Sequence, residues 1–210
     1  MLTLYDCSTA PSPRRARILL AEKGLAHAAV QVDLRHGEQF GEAFRRINPL
    51  CTVPALVTDD GPVLTDNAAI AAYLEARWPE PALLGRSPHE KAEVAQWQWR
   101  AEFEGLMAVA EAFRNASPAF AGRALPGPAP VAQIPALADR GRHRVQQFFE
   151  VLDQRLASSE FLAGAALSVA DITAWVAVDF ARAVKLQPDP AHACLRRWRE
   201  ALAARPAFSR

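Results

Sequence analysis

The spacing of apolar residues changes character about eighty residues into the chain. Up to that point, short apolar runs alternate with helical patterns. Residues 2–5 read as a buried strand, and residues 28–32 as a second strand. Between them Ser12-Pro13 opens a helix that runs through Ala16, Leu19 and Leu20 and stops at Gly24. Strand, helix and strand at this length imply a right-handed crossover and a parallel pair. Residues 37–47 suit a short helix through Phe40, Phe44 and Ile47. Residues 54–57 and Val63-Leu64 flank Asp59-Asp60-Gly61 as a hairpin, and residues 68–78 form an amphipathic helix that ends before Pro79. The order βαβ, short helix, ββα is that of an α/β thioredoxin-like domain, a small sheet with helices on both faces.

Pro79, Pro81, Gly85 and Pro88 mark a boundary, and beyond it the strand patterns stop. Residues 89–113 carry Val94, Trp97, Phe103, Leu106, Met107, Ala110 and Phe113 at helical spacing without an interrupting proline. Five prolines between 118 and 135 predict a long loop, a kind of segment that is commonly functional or mobile. A further helix runs through Val145, Phe148, Phe149, Leu152 and Leu156. Ser168-Val169-Ala170-Asp171 has capping-box spacing ahead of Ile172 and Trp175, so Asp171 reads as a folding determinant. A last helix spans residues 193–204. The domains expected are thus residues 1–80 and an all-α domain over 89–210.

Composition narrows the function classes. A chain of 210 residues, half of them apolar, can bury a real core. A formal net charge of +1 gives no footprint for nucleic acid, and no apolar run is long enough to suggest a membrane span. The first residues lack the pattern of a signal peptide. Cys7, Cys51 and Cys194 are scattered and odd in number, and together with the five histidines they match no metal-ligand spacing. A reducing, cytoplasmic location and no metal are therefore expected.

Two places carry candidate chemistry. Pro54 cannot donate to a ladder, so it belongs at the start or edge of a strand, where neighbouring backbone groups stay available to a ligand. A helix starting near Asp66 adds unpaired donors and short polar side chains, which together suit something peptide-like. Alternatively, Pro54 ends a loop and Asp66 is an ordinary N-cap. Arg14, Arg15 and Arg17 lie near the start of the first helix, where the dipole disfavours them unless an anion binds. The competing reading is a solvated basic face. Trp97, Trp99 and Phe103 either line an aromatic pocket or pack.

The phrases Leu4-Tyr5, Arg15-Ala16-Arg17-Ile18-Leu19-Leu20-Ala21-Glu22-Lys23-Gly24, Asn48-Pro49 and Thr52-Val53-Pro54 resemble the first strand, first helix and proline loop of the soluble glutathione transferase superfamily. Asp66-Asn67-Ala68-Ala69-Ile70-Ala71-Ala72-Tyr73-Leu74 resembles its Glu-Ser-x-Ala-Ile-x-x-Tyr-Leu segment, and Ser168-Val169-Ala170-Asp171-Ile172 its helical-domain capping box. Tyr5-Asp6, Thr9-Ala10-Pro11, Arg15-Ala16-Arg17-Ile18 and Asn115-Ala116-Ser117-Pro118 look most like an atypical branch known from yeast and bacteria.

The resemblance implies glutathione as co-substrate. Val53 would meet the cysteinyl backbone with Pro54 cis, Asp66 and Asn67 would hold the γ-glutamyl end, and Arg14 or His36 would reach the glycyl carboxylate. It also implies a thioredoxin-like domain followed by an all-α domain, a hydrophobic electrophile held in a pocket lined by Trp97, Phe103 and Phe113, and a homodimer. The usual catalytic Ser or Cys is replaced by Ala10, which leaves Thr9, Ser12, or backbone donors and water helped by Asn115 and Ser117. Tyr5 is a strand residue or a catalytic tyrosine. Rival readings are a glutathione-dependent reductase, isomerase or dehalogenase, and a non-catalytic binding protein of this fold.

Overall fold

The computed structural model describes residues 1–59 and 61–209. Its contacts divide the chain into two units. Residues 1–81 with 125–130 make the first, and residues 82–124 with 131–209 the second.

In the first unit, β1 (Leu2–Asp6) is the central strand, with β2 (His27–Gln31) parallel on one side and β3 (Ala55–Val57) antiparallel on the other. The register pairs Leu2 with His27 and Asp6 with Gln31 on one edge, and Tyr5 with Ala55 on the other. Successive side chains of a strand face opposite ways. Leu4 is fully buried on one face. Tyr5 packs on the other with Cys7 and Leu34 against Val32, Phe44 and Val53, its ring edge-on to Phe44 at 5.9 Å. Tyr5 is thus a packing residue of the sheet.

The crossover helix α1 (Pro11–Glu22) packs on α3 (Asn67–Arg77). The buried Lys23 ammonium locks the two together. It pairs with Glu75 at 2.7 Å and donates to the carbonyls of Trp78 and Pro81 at 2.7 and 2.9 Å. The expected helix over 37–47 is a 3₁₀ turn at Glu38–Phe40 and a separate α2 (Glu42–Ile47), because Gly41 is extended. The second arm of the expected hairpin reduces, among the described residues, to one antiparallel bridge between Leu56 and Leu64. The proposed turn at Asp59-Asp60-Gly61 includes Asp60, which lies outside the described residues.

The second unit is helical. Ser87 and Glu90 form a capping box that starts α4 (Pro88–Arg100). The chain continues through a π-helical turn at Ala101–Leu106 into α5 (Met107–Ala116). Gly105 sits in that turn because a Cβ there would lie 2.5 Å from the Phe148 ring. Helix α6 (Pro135–Leu156) packs on α5 with its backbone in close approach, since a Cβ on Gly141 would meet Ala108 O and Ala112 N at 2.7 Å each. Helix α7 (Val169–Phe180) is mostly apolar and largely buried, and α8 (Ala193–Ala203), with Leu195, Trp198 and Leu202 buried, packs on α6, where Leu195 N–H donates to Asp153 Oδ1 at 2.8 Å. The capping box expected at Ser168 and Asp171 is present.

Asp171 does more than cap. Its Oδ1 accepts from Leu162 N–H at 2.9 Å and Trp198 Nε1 at 3.2 Å, and its Oδ2 from Ser168 N–H and Oγ at 3.1 and 2.9 Å. One carboxylate therefore joins the turn before α7, the start of α7 and α8. Burial pushes its pKa up to about 6, against those four donors, which favour the charged form.

The proline-rich stretch after α5 is strapped in place. Arg114 donates to the carbonyls of Ala124 and Arg123, Gln133 donates to those of Arg114 and Ser117, and Ala124 N–H reaches Val131 O at 3.0 Å. Among the described residues, no helix is long and apolar enough to cross a membrane.

Candidate functional site

The turn between β1 and α1 is the centre of the candidate site. Ala10 is the N-cap of α1 and has no side-chain group to cap it, while Cys7 O accepts from Ala10 N–H at 2.9 Å. Pro11 and Pro13 carry no N–H, so of the first three positions of α1 Ser12 alone has a backbone donor. The helix start is electropositive by its dipole and almost bare of its own capping groups.

Ser12 and Asn67 are brought together here. Asn67, the first residue of α3, donates from Nδ2 to the Ser12 carbonyl at 3.2 Å and to its hydroxyl at 3.1 Å. The buried Arg15 donates to the same hydroxyl at 3.0 Å. A hydroxyl has two lone pairs and one proton. With both lone pairs taken, the Ser12 proton is the group left to give. Thr9 is exposed in the turn, its Oγ1 3.5 Å from Cys7 Sγ.

Asp66 is the N-cap of α3 and accepts from Ala69 N–H through Oδ1 at 2.8 Å, on an exposed residue whose Oδ2 takes no part in that cap. Val53–Pro54 is a cis peptide. Among the described residues, no hydrogen bond uses the N–H or C=O of Val53, although the residue is nearly buried. The β1–β3 pairing ends at Tyr5 and Ala55, two positions short of Val53, whose side chain belongs to the cluster with Val32 and Phe44 on which Cys7 packs. A strand-edge residue with both backbone groups unspent is a landing place for an extended peptide.

Other candidates are engaged elsewhere. His36 is 85% exposed, and its ring pairs with Asp33 at 2.7 Å, a contact that holds the Asp33 carboxyl below the usual range. Arg14 is half-buried on α1. In the second unit, the buried Asn115 donates to Glu111 O at 2.9 Å and accepts from Ile134 N–H at 2.9 Å, so it ties the end of α5 to the start of α6. Ser117 caps the end of α5, and its carbonyl takes Gln133 Nε2. Trp97 is buried beneath the guanidinium groups of Arg100 and Arg155, Phe113 packs edge-on to Phe120 and Phe180, and Trp99 stacks on Phe103 at 5.0 Å in the open.

The structure also supplies the anion that the arginine-rich helix start lacked. Arg17 pairs with the buried Asp6 and donates to Ser8 O at 3.1 Å. The clue was available in the sequence: Asp6 continues the alternation of Leu2 and Leu4 onto the buried face, and a carboxylate there needs a cationic partner. Gln31 completes this network and left no sequence signal.

Family models for the glutathione S-transferase N-terminal and C-terminal domains match residues 9–77 and 105–206. A protein of Saccharomyces cerevisiae named glutathione S-transferase 2 is 32% identical over 212 residues, spanning all of this chain and 88% of that protein. The crystal structure of a glutathione S-transferase domain-containing protein from Marinobacter aquaeolei superposes with a TM-score of 0.90 at 35% identity, covering 98% of this chain and 99% of that one. The disulfide-bond oxidoreductase YfcG of Escherichia coli is 29% identical over 99% of this chain and 92% of its own length. These yeast and bacterial relatives agree with the branch suggested by the phrases around Tyr5, Ala10 and Asn115. A three-stranded α/β unit with an all-helical unit after it, matched along its length by a relative of this identity, makes the chain a member of the glutathione S-transferase family.

Proposed function

We propose that this protein is a glutathione transferase that conjugates the glutathione thiolate to a hydrophobic electrophile. The observation that carries the reading is the Ser12 hydroxyl, fixed by Asn67 and Arg15 with its proton left to donate at the start of α1. A thiolate is the reactive form of glutathione, and an O–H donor together with a helix dipole lowers the pKa of its thiol toward neutrality. The thiolate sulfur then bonds to an electrophilic carbon and the leaving group departs with its electron pair. Thr9 is the second hydroxyl of the same turn. Asn115 and Ser117 rank behind both, because Asn115 already spends its amide on Glu111 and Ile134.

In this reading residues 1–80 hold the peptide. Val53 pairs with the cysteinyl backbone, the unspent oxygen of Asp66 meets the α-ammonium of the γ-glutamyl end, and the start of α3 at Asn67 faces its α-carboxylate. Arg14 or His36 reaches the glycyl carboxylate, His36 while its ring pairs with Asp33. Residues 89–210 supply the apolar surface for the electrophile, from Phe113 rather than the buried Trp97. Replacing Asp66 by Ala is expected to weaken glutathione binding about tenfold, the worth of one charge-assisted contact. Calorimetric titration of both proteins checks this, and equal affinities remove Asp66 from the site.

The second reading, a glutathione-dependent disulfide reductase, is favoured by the similarity to YfcG. It is opposed by Ala10 at the helix start, where thiol chemistry would place its nucleophile. Turnover of an aryl halide but not of a mixed disulfide supports the transferase. A cytoplasmic setting fits the three free thiols.

We further propose a homodimer. Trp99, Phe103 and Met107 form an exposed apolar row four residues apart along one continuous helical run. Phe103→Glu is expected to shift the protein from dimer to monomer in sedimentation, and an unchanged profile places the interface elsewhere.

A further inference from the structure

We propose that Gln31, on the edge strand β2, is a positioning residue for the turn that carries the thiol-activating start of α1; this rests on the transferase reading above. Gln31 spans two parts of the same turn. Its Oε1 accepts from Ser8 N–H at 3.0 Å, and its Nε2 donates to Asp6 Oδ2 at 2.9 Å. The other oxygen of Asp6 pairs with Arg17, which donates in turn to the carbonyls of Ser8, at 3.1 Å, and Cys7, at 3.4 Å. Ser8 is therefore held at both its N–H and its C=O by side chains that share one buried carboxylate.

The turn itself contains little that could fix it. Its internal backbone bond is Ala10 N–H to Cys7 O, the N-cap has no side-chain bond, and two of the next three residues are prolines. Its shape is set from outside, by Asp6 and Arg17 on elements that belong to the core and by Gln31 on an exposed edge. Loss of Asp6 or Arg17 would leave a buried charge unpaired and disturb the whole unit. Gln31 is different, because it is an exposed edge residue whose side chain reaches the turn and gives Asp6 one neutral donor, while Arg17 still pairs the buried carboxylate. Its removal frees Ser8 while β2 keeps its ladder to β1.

Small displacements of a reacting group are costly to rate, whereas a peptide ligand held at Val53, Asp66 and Asn67 keeps its binding contacts. Gln31→Leu is accordingly expected to speed hydrogen exchange at the Ser8 amide by about tenfold, the worth of one hydrogen bond. It should lower kcat with glutathione and a dinitroaryl chloride by about three- to tenfold, with KM for glutathione within about twofold. The melting temperature should fall by no more than about 5 °C, the effect of one donor lost to Asp6. Unchanged Ser8 exchange overturns the proposal, as does faster exchange with unchanged kcat, or a loss of kcat accompanied by a melting temperature lowered by more than about 5 °C. Absence of transfer activity in the native chain sinks the transferase reading instead. The exchange measurement then still decides whether Gln31 holds the turn.

Discussion

Replacing Asp171 by Ala is expected to lower the unfolding free energy by about 3–5 kcal/mol at neutral pH, near the top of the range for a single substitution. The carboxylate takes four buried donors, from Leu162, Ser168 and Trp198, and alanine leaves all of them without an acceptor. Asp171 is fully buried and α7 lies inside the helical unit, so water cannot replace the lost contacts without opening the packing. Chemical denaturation with the helical signal as probe measures the effect, and a change under about 1 kcal/mol would show that the four bonds contribute little.

The same residue fixes the sign of a pH effect. Burial raises its pKa from 3.8 to about 6 in the folded protein, so between those values the folded state holds a proton that the unfolded chain has released. Its stabilising contribution is full below the unfolded value and is lost as pH rises through the folded one. The variant lacks this titration. The stability gap between native protein and Asp171→Ala should therefore be larger at acid than at neutral pH, by about 2 kcal/mol between roughly pH 4.5 and 7.5. A gap that widens with pH contradicts the assignment.

Ser12→Ala is expected to lower kcat by about a hundredfold, the usual effect of removing one donor aimed at a developing or resident anion. Affinity for glutathione should change less, because Val53, Asp66 and the start of α3 still hold the peptide. The thiolate absorbance of the glutathione complex at neutral pH should fall in parallel with kcat, and the pH at which it appears should rise. Loss of affinity without loss of thiolate would instead make Ser12 a binding residue. Thr9→Ala is the companion variant, since Thr9 stands in the same turn with its hydroxyl 3.5 Å from Cys7 Sγ.

Much of the architecture was legible before any coordinates because it rests on local rules. The alternation of Leu2 and Leu4 marks β1, and the Ser168–Asp171 spacing marks the cap of α7, whereas the helix start expected at Ser12-Pro13 lies two residues earlier, with Ala10 as N-cap and Pro11 first in the helix. The hairpin was overread: Gly61 supplies turn chemistry, but the segment after it pairs with β3 at Leu64 alone among the described residues. The long proline-rich loop looked mobile from its composition, whereas Arg114, Asn115 and Gln133 strap it down through bonds across 9 to 19 residues that composition cannot reveal.

The sequence by itself determined the elements, the family phrases around Val53-Pro54 and Asp66-Asn67, and the absence of a hydroxyl or thiol at Ala10. Each of these is a property of one residue or of neighbours a few positions apart. Only the tertiary structure decided which polar groups remain available at the candidate site. It joined Asn67 to Ser12 across 55 residues and Gln31 to Ser8 across 23, spent Asn115 and His36 elsewhere, and left the Val53 backbone unpaired among the described residues. A hydrogen-bond partner is chosen by distance in space, and periodicity carries no record of which donors and acceptors the fold has already used.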